Sequence, residues 1–149
     1  MNILVSACLV GTNCKYSGGN NLVPKVEKFG KEHNMVPVCP EELGGLATPR
    51  EPCEIQGGTG KEVLEGKAIV LNKAGEDVTA NFLEGAQKAL DVAKQHRCTV
   101  AVLKSRSPSC GCGIIHGGSF DGKLINGNGV TAQLLLDNKI LVMTELDFE

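Results

Sequence analysis

Residues 99–110 read TVAVLKSRSPSC, and this stretch decides the fold. Its first five residues, Thr99–Leu103, are apolar and rich in valine, which is typical of a buried strand. The chain then passes directly into a polar loop that contains Pro108 and ends at Cys110. A buried strand that is followed at once by a thiol predicts a site beyond the carboxyl end of that strand.

Two earlier segments of the chain have the same form. Asn2–Ala7 reads as an apolar strand, and Cys8 follows it. Met35–Val38 reads as a second strand, and Cys39 follows it. Because the carboxyl ends of parallel strands meet at one edge of a sheet, Cys8, Cys39 and Cys110 are expected to lie together.

The rest of the chain alternates helical and strand patterns. Helices are expected over Pro24–Glu32, Ala80–Arg97 and Val130–Asp137, and further strands over Ala68–Asn72 and Lys139–Thr144. The stretches 41–52 and 57–61 are rich in Gly and Pro and are expected to be loops. Alternating strands and helices predict an α/β fold. We expect one three-layer, Rossmann-like domain over residues 1–149, with a mostly parallel sheet and the site at the carboxyl-terminal edge of its strands.

Composition excludes several classes of protein. Seven cysteines form an odd set, and the apolar start lacks a charged region before it, so neither a secreted disulfide framework nor a signal peptide is expected. This apolar start is also far too short to span a membrane. We therefore expect a cytoplasmic protein. The net charge of −2 argues against nucleic acid as the main partner, although a local basic patch leaves contact with tRNA open.

Three thiols at one sheet edge favour a metal site over three separate buried hydrophobes. Thiolates prefer soft metals, so zinc and an iron–sulfur cluster are the leading candidates for this site. Structural zinc usually has four ligands, often in Cys-x-x-Cys pairs, and no such pair occurs. Three dispersed thiolates better suit a cubane cluster that keeps one iron open, and a three-ligand zinc site is the alternative.

Four further cysteines have no such position. Cys98 lies between a helix and a strand and is expected in the core. Cys112 is too near Cys110 to share a cubane easily. Cys53 is an alternative to Cys39 as the third ligand, and Cys14 has no assigned role.

Polar side chains adjoin the candidate ligands. Glu41 is either a solvated loop carboxylate or an acid/base group beside the metal. Ser107 and Ser109 either satisfy the turn at Pro108 or bond to sulfur or substrate. Arg50 and Lys104 either offset the charge of bound thiolates or lie on the surface.

Taken in order, these segments resemble the thiouracil desulfidase family, which was long described as a domain of unknown function. The matching stretches are SACLVG at 6–11, VCPE at 38–41, GGL at 44–46, TPR at 48–50, DVT at 77–79, LK at 103–104, SPSCG at 107–111 and GNGVTA at 127–132. The resemblance extends from residue 3 to about residue 145.

The resemblance implies a [4Fe-4S] cluster held by Cys8, Cys39 and Cys110. It implies removal of sulfur from thiolated pyrimidines such as 2-thiouracil or 4-thiouracil without net redox change. The substrate sulfur would bind the open iron, Glu41 would act as general acid/base, and Ser107 would bond to the substrate or to sulfide. The sulfur would leave as sulfide or pass to an acceptor.

The expected partner is a small thiolated base or nucleoside, and the chain is expected to be a monomer or a homodimer. Two other functions stay open at this point. One is a sulfur carrier that holds sulfide on the cluster and donates it. The other is a metal-stabilised structural or sensing domain.

Overall fold

The structure, a computed structural model, describes residues 1–148, so Glu149 of the expected domain lies outside the described residues. The strands are β1 (Asn2–Ser6), β2 (Asn34–Val38), β3 (Cys53–Gln56), β4 (Ile69–Asn72), β5 (Val100–Leu103), β6 (Ile114–His116), β7 (Leu124–Asn126) and β8 (Leu141–Thr144). The helices are α1 (Pro24–Lys31), α2 (Pro40–Leu43), α3 (Gly60–Leu64), α4 (Thr79–Gln95) and α5 (Val130–Asp137). Within residues 1–148, none of them combines the length and apolarity that crossing a membrane requires.

A parallel sheet with the strand order β2-β1-β5-β8 forms the centre of the fold. Side chains alternate between its two faces, as a strand requires. Ile3 packs with Val26 of α1 on one face, whereas Leu4 packs with Leu90 of α4 and Leu135 of α5 on the other. The expected α/β fold with three layers and a mostly parallel sheet is therefore confirmed.

Two antiparallel pairs accompany this sheet, and the sequence analysis missed both. β3 pairs with β4, and β6 pairs with β7. The strand near Ala68–Asn72 was expected, but it joins β3 rather than the parallel sheet. β6 and β7 have three residues each, which is too short for an alternating pattern to be recognised among the surrounding glycines.

Two short helices also lie in stretches that were expected to be loops. α2 starts with a proline in its first turn, followed by Glu41 and Glu42, which suit the positive end of a helix dipole. α3 starts with a capping box in which the Thr59 N–H donates to Glu62 Oε1 at 2.8 Å. Thr-x-x-Glu was a usable signal, but the neighbouring glycines obscured it.

Close packing against α4 places α2 and the carboxylate it carries. A Cβ at Gly85 of α4 would collide with the backbone carbonyl oxygen of Pro40, and a Cβ at Gly44 would collide with that of Asn81. The Asn81 side chain also donates to the Gly44 carbonyl at 2.8 Å. Two glycines thus allow the backbones to approach closely enough to hold α2 beside the end of β2.

Candidate active site

The three expected thiols line one cavity. Cys8 lies in a 3₁₀ turn (Ala7–Val10) directly after β1, Cys39 follows β2, and Cys110 lies in the loop after β5. All three contribute to a cavity of about 470 Å³ beyond the carboxyl ends of these strands. The parallel sheet therefore brings together side chains that are up to 102 positions apart in the chain, counted from Cys8 to Cys110.

Ser107 shapes the loop that carries Cys110. Its hydroxyl oxygen accepts the backbone N–H of Ser109 and that of Cys110, each at 3.1 Å. It also bonds to the Ser109 hydroxyl at 3.0 Å. These contacts fold the segment into a tight turn that buries the Cys110 thiol.

Cys14 adds a fourth thiol that the sequence analysis left without a role. It is buried and lines the same cavity as Cys8 and Cys39. The Cys39 thiol also lies 3.7 Å from the Cys14 carbonyl oxygen. Cys14 follows no strand, so only the path of the loop after β1 brings it here.

The environments of these thiols differ in charge and burial. The hydrogen bond from Cys14 lowers the pKa of Cys8 to about 7 and also lowers the pKa of Cys39. The same contacts raise the pKa of Cys14, and the contact with Cys39 has a larger effect than the contact with Cys8. Burial raises the pKa of Cys110 to about 12. Cys8 and Cys39 therefore ionise readily, whereas Cys110 needs a nearby positive charge to do so.

Glu41 is held among polar groups and is not a solvated loop carboxylate. Its side chain is only 14% exposed. Its Oε1 accepts from Arg50 Nε at 3.0 Å, and its Oε2 accepts from the Ser109 hydroxyl at 3.1 Å. Ser109 Oγ also lies 3.6 Å from Cys110 Sγ. Ser109 therefore connects the carboxylate to a thiol, a role that sequence analysis could not separate from turn formation.

Arg50 ties three segments together and is 9% exposed at its side chain. Besides Glu41, it donates to the Thr48 hydroxyl at 2.7 Å and to the Cys14 carbonyl at 2.9 Å. Burial opposes its charge, but the carboxylate of Glu41 outweighs this and the pKa of Arg50 is raised. Arg50 is thus a permanently charged group inside the site rather than a surface cation.

Lys104 is a second cation in the cavity lining. Its Nζ lies 3.0 Å from Glu145 Oε2, and the Ser105 N–H donates to Glu145 Oε1 at 2.7 Å. Burial opposes ionisation of Glu145, yet these donors keep its pKa low. The charge of Lys104 also contributes to the low pKa of Cys8.

The antiparallel pairs and the loop between β6 and β7 supply a further part of the lining, of which the sequence analysis had named only Cys53. Cys53 and Glu54 come from β3, His116 from the end of β6, and Phe120 from the loop between β6 and β7. Burial raises the pKa of Cys53 to about 12. Because Cys53 lines the same cavity as Cys39, it is still an alternative ligand. The His116 Nδ1 atom is buried without a hydrogen-bond partner among the described residues.

The remaining cysteines lie elsewhere. Cys98 packs in the core with Ala93 and Ile140, as expected, and Cys112 is half-buried against the same cluster. Among residues 1–148, no three His, Cys, Asp or Glu side chains are arranged to hold a single metal ion.

Comparison with known proteins identifies the family. Residues 3–147 match the family model described as 2-thiouracil desulfurase. The chain belongs to this family. The family assignment made from the sequence motifs is therefore confirmed, and the match extends over all the elements that line the cavity.

This chain is also similar to two individual proteins. It is 49% identical over 143 residues to the uncharacterized protein YbbK of Bacillus subtilis (strain 168), covering 96% of this chain and 95% of that protein. A solved structure, described as the [4Fe-4S]-dependent thiouracil desulfidase TudS, superposes with a TM-score of 0.86 at 38% identity. That match covers 98% of this chain and 91% of the other.

Proposed function

We propose that this chain removes sulfur from a thiolated pyrimidine of the thiouracil type, using a [4Fe-4S] cluster held by Cys8, Cys39 and Cys110. The family assignment and the description of the solved relative support this proposal. The observation that carries it is the single cavity in which the three thiols meet the half-buried carboxylate of Glu41. Sulfur ligands and a proton-transfer group are both needed for such a reaction, and both line this cavity.

The residues present fit an iron–sulfur cluster. The donors are thiols, which soft metals prefer, and their number leaves one iron of a cubane without a protein ligand. Cys8 and Cys39 have lowered pKa values. The raised pKa of Cys110 reflects burial, and a coordinated metal deprotonates such a thiol outright. Ser109 Oγ lies 3.6 Å from Cys110 Sγ, so its single hydroxyl proton can turn from Glu41 toward the sulfur of a bound thiolate.

When bound, the cluster would supply an open iron that acts as a Lewis acid toward the substrate sulfur. The protein's own contribution is proton transfer. Glu41 accepts a proton from a water molecule, and the oxygen of that water adds to the ring carbon that bears sulfur. The carbon–sulfur bond then breaks, and the departing sulfur takes up the proton held by Glu41 and the second proton of the water, so that a thiocarbonyl and water become a carbonyl and hydrogen sulfide. No electrons are gained or lost in this balance.

The contacts of Glu41 suit it to this role. Arg50 and Ser109 each occupy one of its carboxylate oxygens, and each oxygen keeps a second lone pair for water. Ser107 belongs to the same network through Ser109. When its hydroxyl proton rotates from Ser109 toward the cavity, Ser107 can donate a hydrogen bond to the substrate or to the departing sulfide.

Anaerobic reconstitution followed by iron and sulfide analysis tests the ligands. Wild type is expected to hold about four irons and four sulfides per chain. Cys8→Ser, Cys39→Ser and Cys110→Ser are each expected to lose the cluster, whereas the core variant Cys98→Ser retains it. Cys53→Ser tests the alternative ligand. If Cys53→Ser loses the cluster and Cys39→Ser retains it, Cys53 is the third ligand instead of Cys39. Zinc in place of iron would overturn the cofactor assignment.

A turnover assay with the reconstituted protein tests the reaction. Uracil and sulfide are expected in equal amounts from 2-thiouracil or 4-thiouracil, over many cycles and without an added acceptor. A sulfur carrier would instead release at most about one sulfide per chain and then stop. A structural or sensing domain would produce no uracil at all.

A further inference from the structure

Aromatic side chains are scarce in this protein, and the structure accounts for most of them. The chain has four Phe, one Tyr and no Trp. Phe82 is buried in the core beneath the β3–β4 pair at 1% exposure. Phe29 and Phe148 pack against each other edge to face, with 5.1 Å between ring centroids. The two that remain, Tyr16 and Phe120, both line the cavity of the thiols.

Phe120 occupies its position at a cost in backbone energy. Its φ of 54° lies in the left-handed region, which a bulky residue rarely adopts. Such strain persists only where surrounding contacts impose it, and it is concentrated at functional sites. No turn chemistry requires a phenylalanine here, since glycine would adopt this conformation without strain.

A buried carboxylate holds the strained loop in place. Glu54 Oε1 accepts the N–H of Gly118 at 2.8 Å and that of Phe120 at 3.1 Å. The Gln56 side chain donates to the Gly118 carbonyl at 2.6 Å. The β3 strand therefore fixes the backbone that presents Phe120 to the cavity.

Tyr16 is connected through its backbone to Arg50, which forms an ion pair with Glu41. Its side chain is 47% exposed, although a tyrosine ring gains from burial. Its backbone carbonyl oxygen accepts the backbone N–H of Arg50 at 2.7 Å, and the Arg50 guanidinium donates to Glu41. The ring is thus attached to the segment that orients the proposed general base.

We propose that Phe120 and Tyr16 determine specificity by contacting the face of a planar pyrimidine ring. This inference rests on the proposed function, and it addresses how the ring is held rather than how its sulfur is removed. Thiols and carboxylates provide no flat apolar surface, whereas an aromatic side chain stacks on a nucleobase. Phe120 is half-buried and contributes more than the exposed Tyr16.

Kinetics of the reconstituted enzyme with thiouracil test this proposal. Loss of one base–aromatic contact weakens binding by about fivefold to a hundredfold. Phe120→Leu keeps an apolar side chain but removes the flat ring, so KM is expected to rise about tenfold, while kcat changes less than about twofold. Tyr16→Leu is expected to raise KM less. Phe120→Tyr restores the wild-type KM, and the exposed neighbour Ser119→Ala is the matched control on the same loop.

Competitive inhibition distinguishes stacking from simple loss of volume. Uracil is planar, whereas dihydrouracil is puckered and has no aromatic face. Wild type is expected to bind uracil more tightly than dihydrouracil, and this preference is expected to fall severalfold in Phe120→Leu. A loss of affinity for both ligands in equal measure would overturn the stacking assignment.

The outcomes separate the two proposals. Absence of thiouracil turnover in reconstituted wild type overturns the proposed function and this inference with it. Turnover by wild type, combined with unchanged KM and unchanged ligand preference in both leucine variants, overturns this inference alone. A fall in kcat at constant KM would also contradict it, because it would place the rings in the chemical step.

Discussion

The cavity has two parts that are built in different ways. The sheet-edge side consists of Cys8, Cys39, Cys110 and Glu41, which follow the ends of β1, β2 and β5. The hairpin side consists of Cys53 and Glu54 on β3 together with His116 and Phe120 next to the β6–β7 pair. Both sides line the same space, but only the first rests on the central sheet.

The two supports differ in burial. β1 is almost wholly buried. On the hairpin side β3 is also buried, but all three residues of β7 are exposed. An isolated two-stranded pair is marginally stable, so the β6–β7 part of the hairpin side depends on individual contacts such as those of Glu54. Reacting groups need accurate placement, which packed strand ends provide. We infer that the sheet-edge side performs the chemistry and that the hairpin side, together with Tyr16 from the loop after β1, recognises the ring.

Glu41→Gln tests the chemical role of the sheet-edge side, and its expected effect on activity is the largest of the variants considered. The amide keeps the shape of the carboxylate but cannot accept a proton, so kcat for thiouracil is expected to fall about 10²- to 10⁴-fold. Iron and sulfide content and KM are expected to stay close to wild type. Glu42→Gln is the control on the same helix, and its kcat is expected to be within about twofold of wild type. An unchanged kcat in Glu41→Gln would contradict the assignment of proton transfer to the sheet-edge side.

Gly85→Ala tests the packing that positions Glu41. Alanine favours the helix by about 1 kcal/mol, but its Cβ collides with the Pro40 carbonyl, and overpacking of this kind costs about 1–3 kcal/mol. We expect a net loss of stability, measured as a lower thermal midpoint, together with lower kcat. Gly19→Ala is the control, since a Cβ there has no neighbour nearer than 3.9 Å. A stable Gly85→Ala variant with full activity would show that α2 is not held by this contact.

Cys14→Ala tests the hydrogen bonds that lower the thiol pKa values on the sheet-edge side. In the reduced apoprotein, the pH midpoint for alkylation of Cys8 is expected near its pKa of about 7, because the thiolate is the nucleophile. Without the Cys14 thiol, the midpoint should rise toward the ordinary value of 9.0. Mass spectrometry of the Cys8 peptide after iodoacetamide treatment measures this. Cys53→Ala, which removes a thiol from the hairpin side, should leave the midpoint where it is.

Glu54→Ala gives the smallest expected effect and tests the hairpin side. It removes the acceptor for two backbone N–H groups, so the loop that presents Phe120 is loosened. KM for thiouracil is expected to rise about two- to tenfold, with kcat within about twofold. Glu54→Gln keeps an acceptor oxygen and is expected to show a smaller rise. A fall in kcat without a change in KM would show that the hairpin side acts in the chemical step, and would contradict the assignment of separate roles to the two sides.

The sheet-edge side could be predicted because its signals are local. Val100–Leu103 is an apolar run, and the thiol of Cys110 follows within one loop, so strand and ligand are read from one short segment. The same holds for Cys8 and Cys39. Parallel strands then bring their carboxyl ends to one edge, and the cavity follows from that rule.

The hairpin side could not be predicted, because its signals depend on partners far along the chain. Glu54 binds the backbone of Gly118 and Phe120, across 64 and 66 positions. The same limit applies to one contact of the sheet-edge side, because Ser109 reaches Glu41 across 68 positions. Nothing in the neighbourhood of these residues distinguishes such contacts from an ordinary turn or a solvated loop.

The sequence by itself determined the three-layer α/β fold, the family, and the set of thiols and acidic residue at the strand ends. It did so because strand burial follows from local apolar patterns, and because the carboxyl ends of parallel strands meet at one edge of a sheet. Only the tertiary structure decided that Cys14 sits against Cys8 and Cys39, that Arg50 and Ser109 bracket Glu41, and that Phe120 is held at a strained φ by Glu54. Those contacts are set by the packing of loops over the finished sheet, and no local pattern in the chain encodes that packing.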